Sequence, residues 1–253
     1  MILQWKPSDA LCIIESEQFF GKMDKKAFDI HKTVIPEYLE GGTTMKITWI
    51  GHSCFKIEEG GCSIVTDPYD DNYVPGLGPV RESTNEVLCS HQHGDHNAKH
   101  RVTMISGGAN PFKVTKIETY HDPKKGALRG LNTIYVISAG GKRIAHFGDL
   151  GCELEKEQLE QLQGLDLAMI PVGGYYTIDA AQAAELVAKI GPRHVIPMHF
   201  RAENGKFGFP VIGTVKEFTD KMESVIYTGS SKLDLDRAPE EQVVVLIPQN
   251  AKL

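Results

Sequence analysis

The chain has 253 residues, 41% of them hydrophobic and 24% charged, with a formal net charge of −6. These values are ordinary for a globular protein that buries a substantial core. The negative charge argues against nucleic acid or an anionic membrane as the main partner, although Lys124, Lys125 and Arg129 offer a local basic patch. No apolar run approaches the roughly 20 residues that cross a bilayer.

The chain has five cysteines, which is an odd number, and no two of them form a C-x-x-C pair. This pattern favours reduced thiols over a disulfide framework and predicts a cytoplasmic location. The N-terminus also lacks the charged and apolar pattern of a signal peptide. The cysteines are Cys12, Cys54, Cys62, Cys89 and Cys152.

Residues 1–44 mix apolar and charged side chains without a clean period, and we treat them as an N-terminal extension of uncertain status. They are either an element that packs on the domain or residues upstream of a translation start at Met45. The second explanation is slightly favoured, because residues 45–253 already suffice for a complete domain.

Short β-rich segments dominate after Met45, and helical patterns come later. Many short strands followed by alternating helices and strands predict an α/β domain of sheets covered by outer helices. The predicted helices are Leu154–Gln163, Asp179–Ile190 and Thr214–Met222. The predicted strands are Lys46–Ile50, Cys54–Ile57, Cys62–Thr66, Glu86–Ser90, Lys113–Tyr120, Thr133–Ser138, Arg143–Phe147, Leu167–Pro171, His194–Pro197, Ser224–Tyr227 and Gln242–Ile247.

The strongest chemical signal is the H-x-H-x-D-H motif of His91, His93, Asp95 and His96, directly after a predicted strand. In extended chain, His91 and His93 point the same way, and the following turn adds a carboxylate and a third imidazole. Such ligands without a thiolate suit Zn²⁺, Mn²⁺ or Fe²⁺. The alternative is a histidine-rich surface loop.

Three further candidate ligands follow predicted strand ends: His121, Asp149 and His199. Ligands at the ends of different strands converge at one edge of a sheet sandwich. Gly148 would let the backbone come close just before the Asp149 carboxylate.

Together these motifs resemble the metallo-β-lactamase superfamily. The branch that contains L-ascorbate-6-phosphate lactonase and N-acylphosphatidylethanolamine phospholipase D is similar to this chain in several short segments between Met45 and about Phe200. These segments are Trp49–Phe55, Thr66–Pro68, Pro171–Asp179 and Ile196–His199. The resemblance implies an αββα sandwich and a lactonase-like, metal-dependent hydrolase.

The resemblance also implies a ligand set for two divalent metal ions, with zinc favoured over manganese or iron. It assigns the first ion to His91, His93 and His121, and the second to Asp95, His96 and His199. Asp149 would bridge the two ions, and Asp67 would support the ligands from behind.

Two metal ions suit hydrolysis by a bridging hydroxide. The candidate catalytic groups are Asp95 and His52; His52 either protonates the leaving group or caps a turn. Tyr175, Tyr176 and Thr177 either line the pocket or belong to a turn before Asp179. Arg201 and Lys206 either attract a phosphate or are ordinary surface charge.

The expected substrate is a small, anionic molecule with an ester-like bond, a lactone or a phosphodiester. The alternatives are a non-catalytic metal-dependent binding or sensing protein and, less favoured, a di-iron oxidoreductase. The di-iron branch resembles H-x-E-x-D, whereas this chain has His93 at the carboxylate position. The sequence leaves a homo-oligomer possible and does not name the natural substrate.

Overall fold

The computed structural model describes residues 44–252, so the predicted extension over residues 1–44 lies almost wholly outside the described residues. Within residues 44–252, no helix is long and apolar enough to span a bilayer. The fourteen strands of this part of the chain are β1 (Lys46–Gly51), β2 (Cys54–Glu59), β3 (Cys62–Thr66), β4 (Ser83–Thr84), β5 (Glu86–Leu88), β6 (Thr103–Met104), β7 (Lys113–Tyr120), β8 (Leu131–Ala139), β9 (Lys142–His146), β10 (Leu167–Pro171), β11 (His194–Met198), β12 (Val225–Tyr227), β13 (Lys232–Asp234) and β14 (Val243–Val245).

The helices are short and come late in the chain: α1 (Lys156–Gln161), α2 (Ala180–Ile190) and α3 (Val215–Thr219). Helix α2 begins where the sequence predicts, because the Asp179 carboxylate accepts hydrogen bonds from the first-turn backbone N–H groups. It ends at Gly191, which adopts a left-handed conformation with φ of 55°. Helices α1 and α3 are shorter than predicted, but both begin with a capping box.

The strands form two main sheets. The first has the order β13-β1-β2-β3-β5, and the second has the order β12-β14-β11-β10-β9-β8-β7. The predicted αββα sandwich is confirmed. The only strands among residues 44–252 that the sequence patterns missed are short: β4, β6 and β13, which contain two or three residues each. Such segments are too short to show an alternating pattern.

Strand direction places the carboxyl ends of three strands at one edge of the second sheet. Strand β10 runs parallel to both β9 and β11, while β8 is antiparallel to both β7 and β9. The ends of β7, β9 and β11 therefore share an edge. His121, Asp149 and His199 follow these three strands.

Trp49 is completely buried in β1 and joins the core to this edge. Its ring packs against Phe200 and Phe207, with centroid distances of 5.2 and 6.1 Å. Its indole N–H donates a hydrogen bond of 2.9 Å to the carbonyl oxygen of His52. One side chain thus fixes the turn after β1 against the segment after β11.

We expect Trp49→Ala to lower the free energy of unfolding by about 3–5 kcal/mol, because it leaves a large cavity among aromatic rings. Urea denaturation followed by circular dichroism measures the change. The control, Trp49→Phe, keeps most of the ring contacts but loses the donor to His52, and should cost only about 1 kcal/mol. Equal losses for both variants would contradict this account.

Candidate metal centre

The three histidines and the aspartate of the H-x-H-x-D-H motif lie in the loop after β5. His91 and His96 are buried, His93 is exposed and Asp95 is intermediate. The metal-ligating atoms of His91, His93 and His121 lie within 4.8 Å of one another. Those of His52, Asp95, His96 and His199 form a second such group. The loop therefore contributes to two adjacent ligand clusters.

Asp149 lies between the two clusters and is 1% exposed. Its Oδ2 is 3.3 Å from Nε2 of His121 in the first cluster and 3.2 Å from Nε2 of His199 in the second. Its Oδ1 is 3.2 Å from Nε2 of His96. Burial alone would raise the pKa of Asp149, but His199 and His96 lower it well below its usual range.

Burial and neighbouring groups also shift the pKa values of the imidazoles. Burial, and then the neighbouring His199, lower the pKa of His52 to about 4. Burial and His96 lower the pKa of His91 to about 3. Burial acts in the same direction on His96, yet Asp149 and Asp95 raise its pKa well above the usual range. Of these three imidazoles, only His96 has a raised pKa, because its neighbouring carboxylates outweigh the effect of burial.

Several buried polar atoms of the two clusters have no hydrogen-bond partner within residues 44–252, although unpaired buried polar groups are costly. Imidazole and carboxylate donors are the ligands that zinc and similar divalent ions prefer. The donor set therefore fits metal ions. The unpartnered atoms of the clusters are Nδ1 and Nε2 of His52, Nε2 of His91, Nε2 of His96, Nδ1 of His121, Oδ1 of Asp149, and Nδ1 and Nε2 of His199.

Asp67 lies behind the clusters, completely buried, with φ of 41°. Its Oδ2 is 2.8 Å from Nδ1 of His96. Ser90 donates to the same carboxylate twice, through its backbone N–H and its hydroxyl, both at 2.6 Å. Ser90 Oγ is also 2.9 Å from Nδ1 of His91. Asp67 and Ser90 thus fix the orientation of two imidazoles.

Three glycines let the strand ends come close. A Cβ at Gly148 would lie 2.4 Å from Oδ1 of Asn132, and one at Gly173 would lie 2.1 Å from the carbonyl oxygen of His199. A Cβ at Gly151 would lie 2.4 Å from the His121 backbone. Larger residues at these positions would separate the ligand-bearing segments.

Asn132 and Ser90 are positioning residues that the sequence patterns did not reveal. Asn132 Oδ1 accepts a hydrogen bond of 2.9 Å from the backbone N–H of Asp149, and its amide donates to Phe147 and Thr119. Ser90 directly precedes His91, and the sequence pattern places it only at the end of a predicted strand. A lone asparagine inside a strand carries no sequence signal for such a role.

The remaining histidines lie away from the ligand atoms. His146 Nε2 is 2.8 Å from the carbonyl oxygen of Ser53, and its ring packs edge-on against Phe55. His194 lies at the start of β11, near the carbonyl oxygen of Glu241. His100 is exposed and pairs with Asp70. His31 lies outside the described residues.

Comparison with known proteins places the chain in a family. Residues 46–199, more than half of the chain, match the family described as the β-lactamase superfamily domain. A UPF0173 metal-dependent hydrolase from Pyrococcus furiosus is 30% identical over 230 residues, which cover 76% of this chain and all of that protein. This chain belongs to the metallo-β-lactamase superfamily and its UPF0173 metal-dependent hydrolase family.

Two other similarities support the assignment, one to the UPF0173 family and one to the superfamily. A family member from Carboxydothermus hydrogenoformans is 28% identical over 213 residues, covering 70% of this chain and 92% of that protein. A crystal structure of a metallo-β-lactamase superfamily protein from Thermotoga maritima has a TM-score of 0.63 and 32% identity, covering 80% of this chain and 98% of that chain. The chain is therefore a metal-dependent hydrolase by family.

We expect Asp67→Asn to weaken metal binding by about 10- to 100-fold, because His96 loses the carboxylate that orients its ring. Competition with a chromogenic chelator measures the affinity. Asp71→Asn is the matched control, since Asp71 lies on the same loop but pairs with Arg81 at the surface. Unchanged metal affinity in Asp67→Asn would contradict a supporting role.

Proposed function

We propose that the protein is a dinuclear metal-dependent hydrolase acting on an ester-like bond, a lactone or a phosphodiester of a small, anionic substrate. The observation that carries this proposal is the position of Asp149, which lies within 3.3 Å of imidazoles from both ligand clusters. A carboxylate between two such clusters suits two adjacent ions.

His91, His93 and His121 would hold one ion, and Asp95, His96 and His199 the other, with Asp149 shared. Zinc is favoured because the ligands are imidazoles and carboxylates, and the Thermotoga maritima relative is described as a candidate Zn-dependent hydrolase; manganese and iron suit the same set. When bound, two such ions supply a hydroxide nucleophile from water and stabilise negative charge on the substrate oxygen.

The charges of the ligands favour an anionic substrate. Asp95 and Asp149 contribute two negative charges against two divalent ions, and the ligand imidazoles contribute none when they bind a metal. The excess positive charge attracts a phosphate or carboxylate.

Lactonase-like activity, the hydrolysis of a lactone, is one of the reactions that this proposal includes. The four free cysteines among residues 44–252 agree with a cytoplasmic location.

We further propose that His52 transfers a proton to the leaving group, as a neutral imidazole that first takes a proton from the attacking water. Its Nε2 lies 3.4 Å from Oδ2 of Asp95, and its ring centroid is 4.1 Å from that of His199. It follows β1 directly and has φ of 54°, which aims the side chain into the second cluster. Asp95 orients this imidazole, which is its catalytic contribution besides metal binding.

We expect metal-loaded protein to hydrolyse either bis(4-nitrophenyl) phosphate or a chromogenic lactone, and His91→Ala to lose at least about 100-fold of that activity. Absorbance assays with parallel metal analysis measure both. His100→Ala is the matched control, because His100 is an exposed histidine outside the clusters.

Activity on one substrate class would assign the bond type. Absence of turnover on both, with two ions bound per chain, would overturn the hydrolase proposal in favour of a metal-dependent binding or sensing protein. Retained activity in His91→Ala would show that these ligands are not part of the catalytic centre.

For His52, we expect His52→Ala to lower kcat by about 10²- to 10⁴-fold while metal content stays at two ions per chain, as for loss of a proton donor. Atomic absorption and steady-state kinetics give the two readouts. Loss of one ion instead would make His52 a ligand. Unchanged turnover would remove it from the reaction.

A further inference from the structure

Three aromatic rings lie beside the second ligand cluster. The Phe209 ring lies edge-on to His52, with centroids 5.5 Å apart. Tyr73 and Tyr176 contact Phe209 at 6.4 and 6.3 Å, also edge-on. Tyr73 is 48% exposed, and the other two rings are partly exposed. The rings therefore form an apolar rim that is still open to solvent.

The rim adjoins the metal-binding motif itself. A Cβ at Gly94 would lie 2.6 Å from a carbon atom of the Tyr73 ring. The ring thus covers the backbone between His93 and Asp95. A molecule that touches Tyr73 would lie next to the ligand loop.

The three rings come from three loops that are tied together by backbone hydrogen bonds. The N–H of Gly208 donates to the carbonyl oxygen of Pro75 at 2.9 Å, which links the loops of Phe209 and Tyr73. The N–H of Gly213 donates to Gly173 at 2.6 Å, which links the loops of Phe209 and Tyr176. A preformed rim loses little conformational entropy when it binds a ligand.

The positively charged side chain of Arg129 lies beside the rim. The Arg129 guanidinium is 5.6 Å from the Tyr176 ring centroid and donates to the carbonyl oxygen of Tyr175 at 3.1 Å. The loop that carries Arg129 follows His121 and is fixed by the Asp122 carboxylate, which accepts backbone hydrogen bonds from four of its residues. The charge is thus held in place beside the aromatic rings.

We propose that Tyr73, Tyr176 and Phe209 form a subsite for an aromatic group of the substrate, with Arg129 favouring a molecule that also carries negative charge. Partly exposed apolar patches next to a reactive centre mark ligand sites. Partly exposed rings accept another ring edge-on or offset, which adds to the gain from apolar burial. This inference rests on the proposed function, since the aromatic group belongs to the hydrolysed molecule.

The test compares three unreactive ligands on metal-loaded protein: phenylphosphonate, cyclohexylphosphonate and methylphosphonate. Isothermal titration calorimetry measures their affinities without any turnover. We expect phenylphosphonate to bind about tenfold or more tightly than methylphosphonate, and more tightly than cyclohexylphosphonate. Phe209→Leu and Tyr176→Ala should each bring the phenyl-to-methyl ratio toward one.

Met104→Ala is the control, because Met104 is a large exposed apolar side chain in β6, away from the rim. Equal affinities for the three ligands, or a ratio that survives both rim variants, would overturn the subsite. Equal affinities for phenyl and cyclohexyl would overturn its aromatic selectivity. Binding that behaves as expected in a protein without hydrolytic activity would overturn the proposed function and leave the subsite intact.

Discussion

The buried carboxylate of Asp149, surrounded by imidazoles, is the constraint on which the rest of the site depends. An unpaired charge in a protein interior is very costly, so Asp149 needs the positive character of its neighbours or of bound metal ions. Four imidazoles from two strand ends and one loop lie within 3.9 Å of it. Bringing these segments so close requires glycine at Gly148, Gly151 and Gly173, since a side chain at each would collide with its neighbour.

The same crowding accounts for backbone conformations that are unusual for residues with side chains. His52, Asp67 and His199 all have φ between 41° and 54°. The left-handed conformation costs roughly 1–2 kcal/mol per residue that is not glycine. The surrounding contacts offset that cost: Trp49 holds the His52 carbonyl, and Ser90 and His96 hold the Asp67 side chain. Strain at such positions fixes the direction in which a functional side chain points.

Reaction chemistry and substrate choice reside in different parts of this molecule. The ligand clusters come from strand ends and from the loop after β5, and with metal ions bound they would offer the same nucleophile to any hydrolysable bond. In the proposed function, substrate choice would belong to the loops, where Tyr73 and Tyr176 pack edge-on against Phe209. Loop residues vary without loss of the scaffold, which is how one fold serves many substrates. Family membership therefore identifies the chain as a metal-dependent hydrolase but does not identify its substrate.

The sequence by itself determined an α/β domain, the approximate positions of most strands and the dense H-x-H-x-D-H loop, because these depend on local periodicity and on residues close in the chain. The αββα arrangement of the sheets followed from the family resemblance. The sequence also offered His121, Asp149 and His199 as candidates, since each follows an apolar strand. Only the tertiary structure decided how closely His121 and His199 approach Asp149, that Asn132 orients Asp149 and Ser90 orients His91, and that Tyr73 and Phe209 share a rim although 136 positions separate them. Such contacts follow from strand order and loop packing between distant segments, and a local sequence pattern contains no record of either.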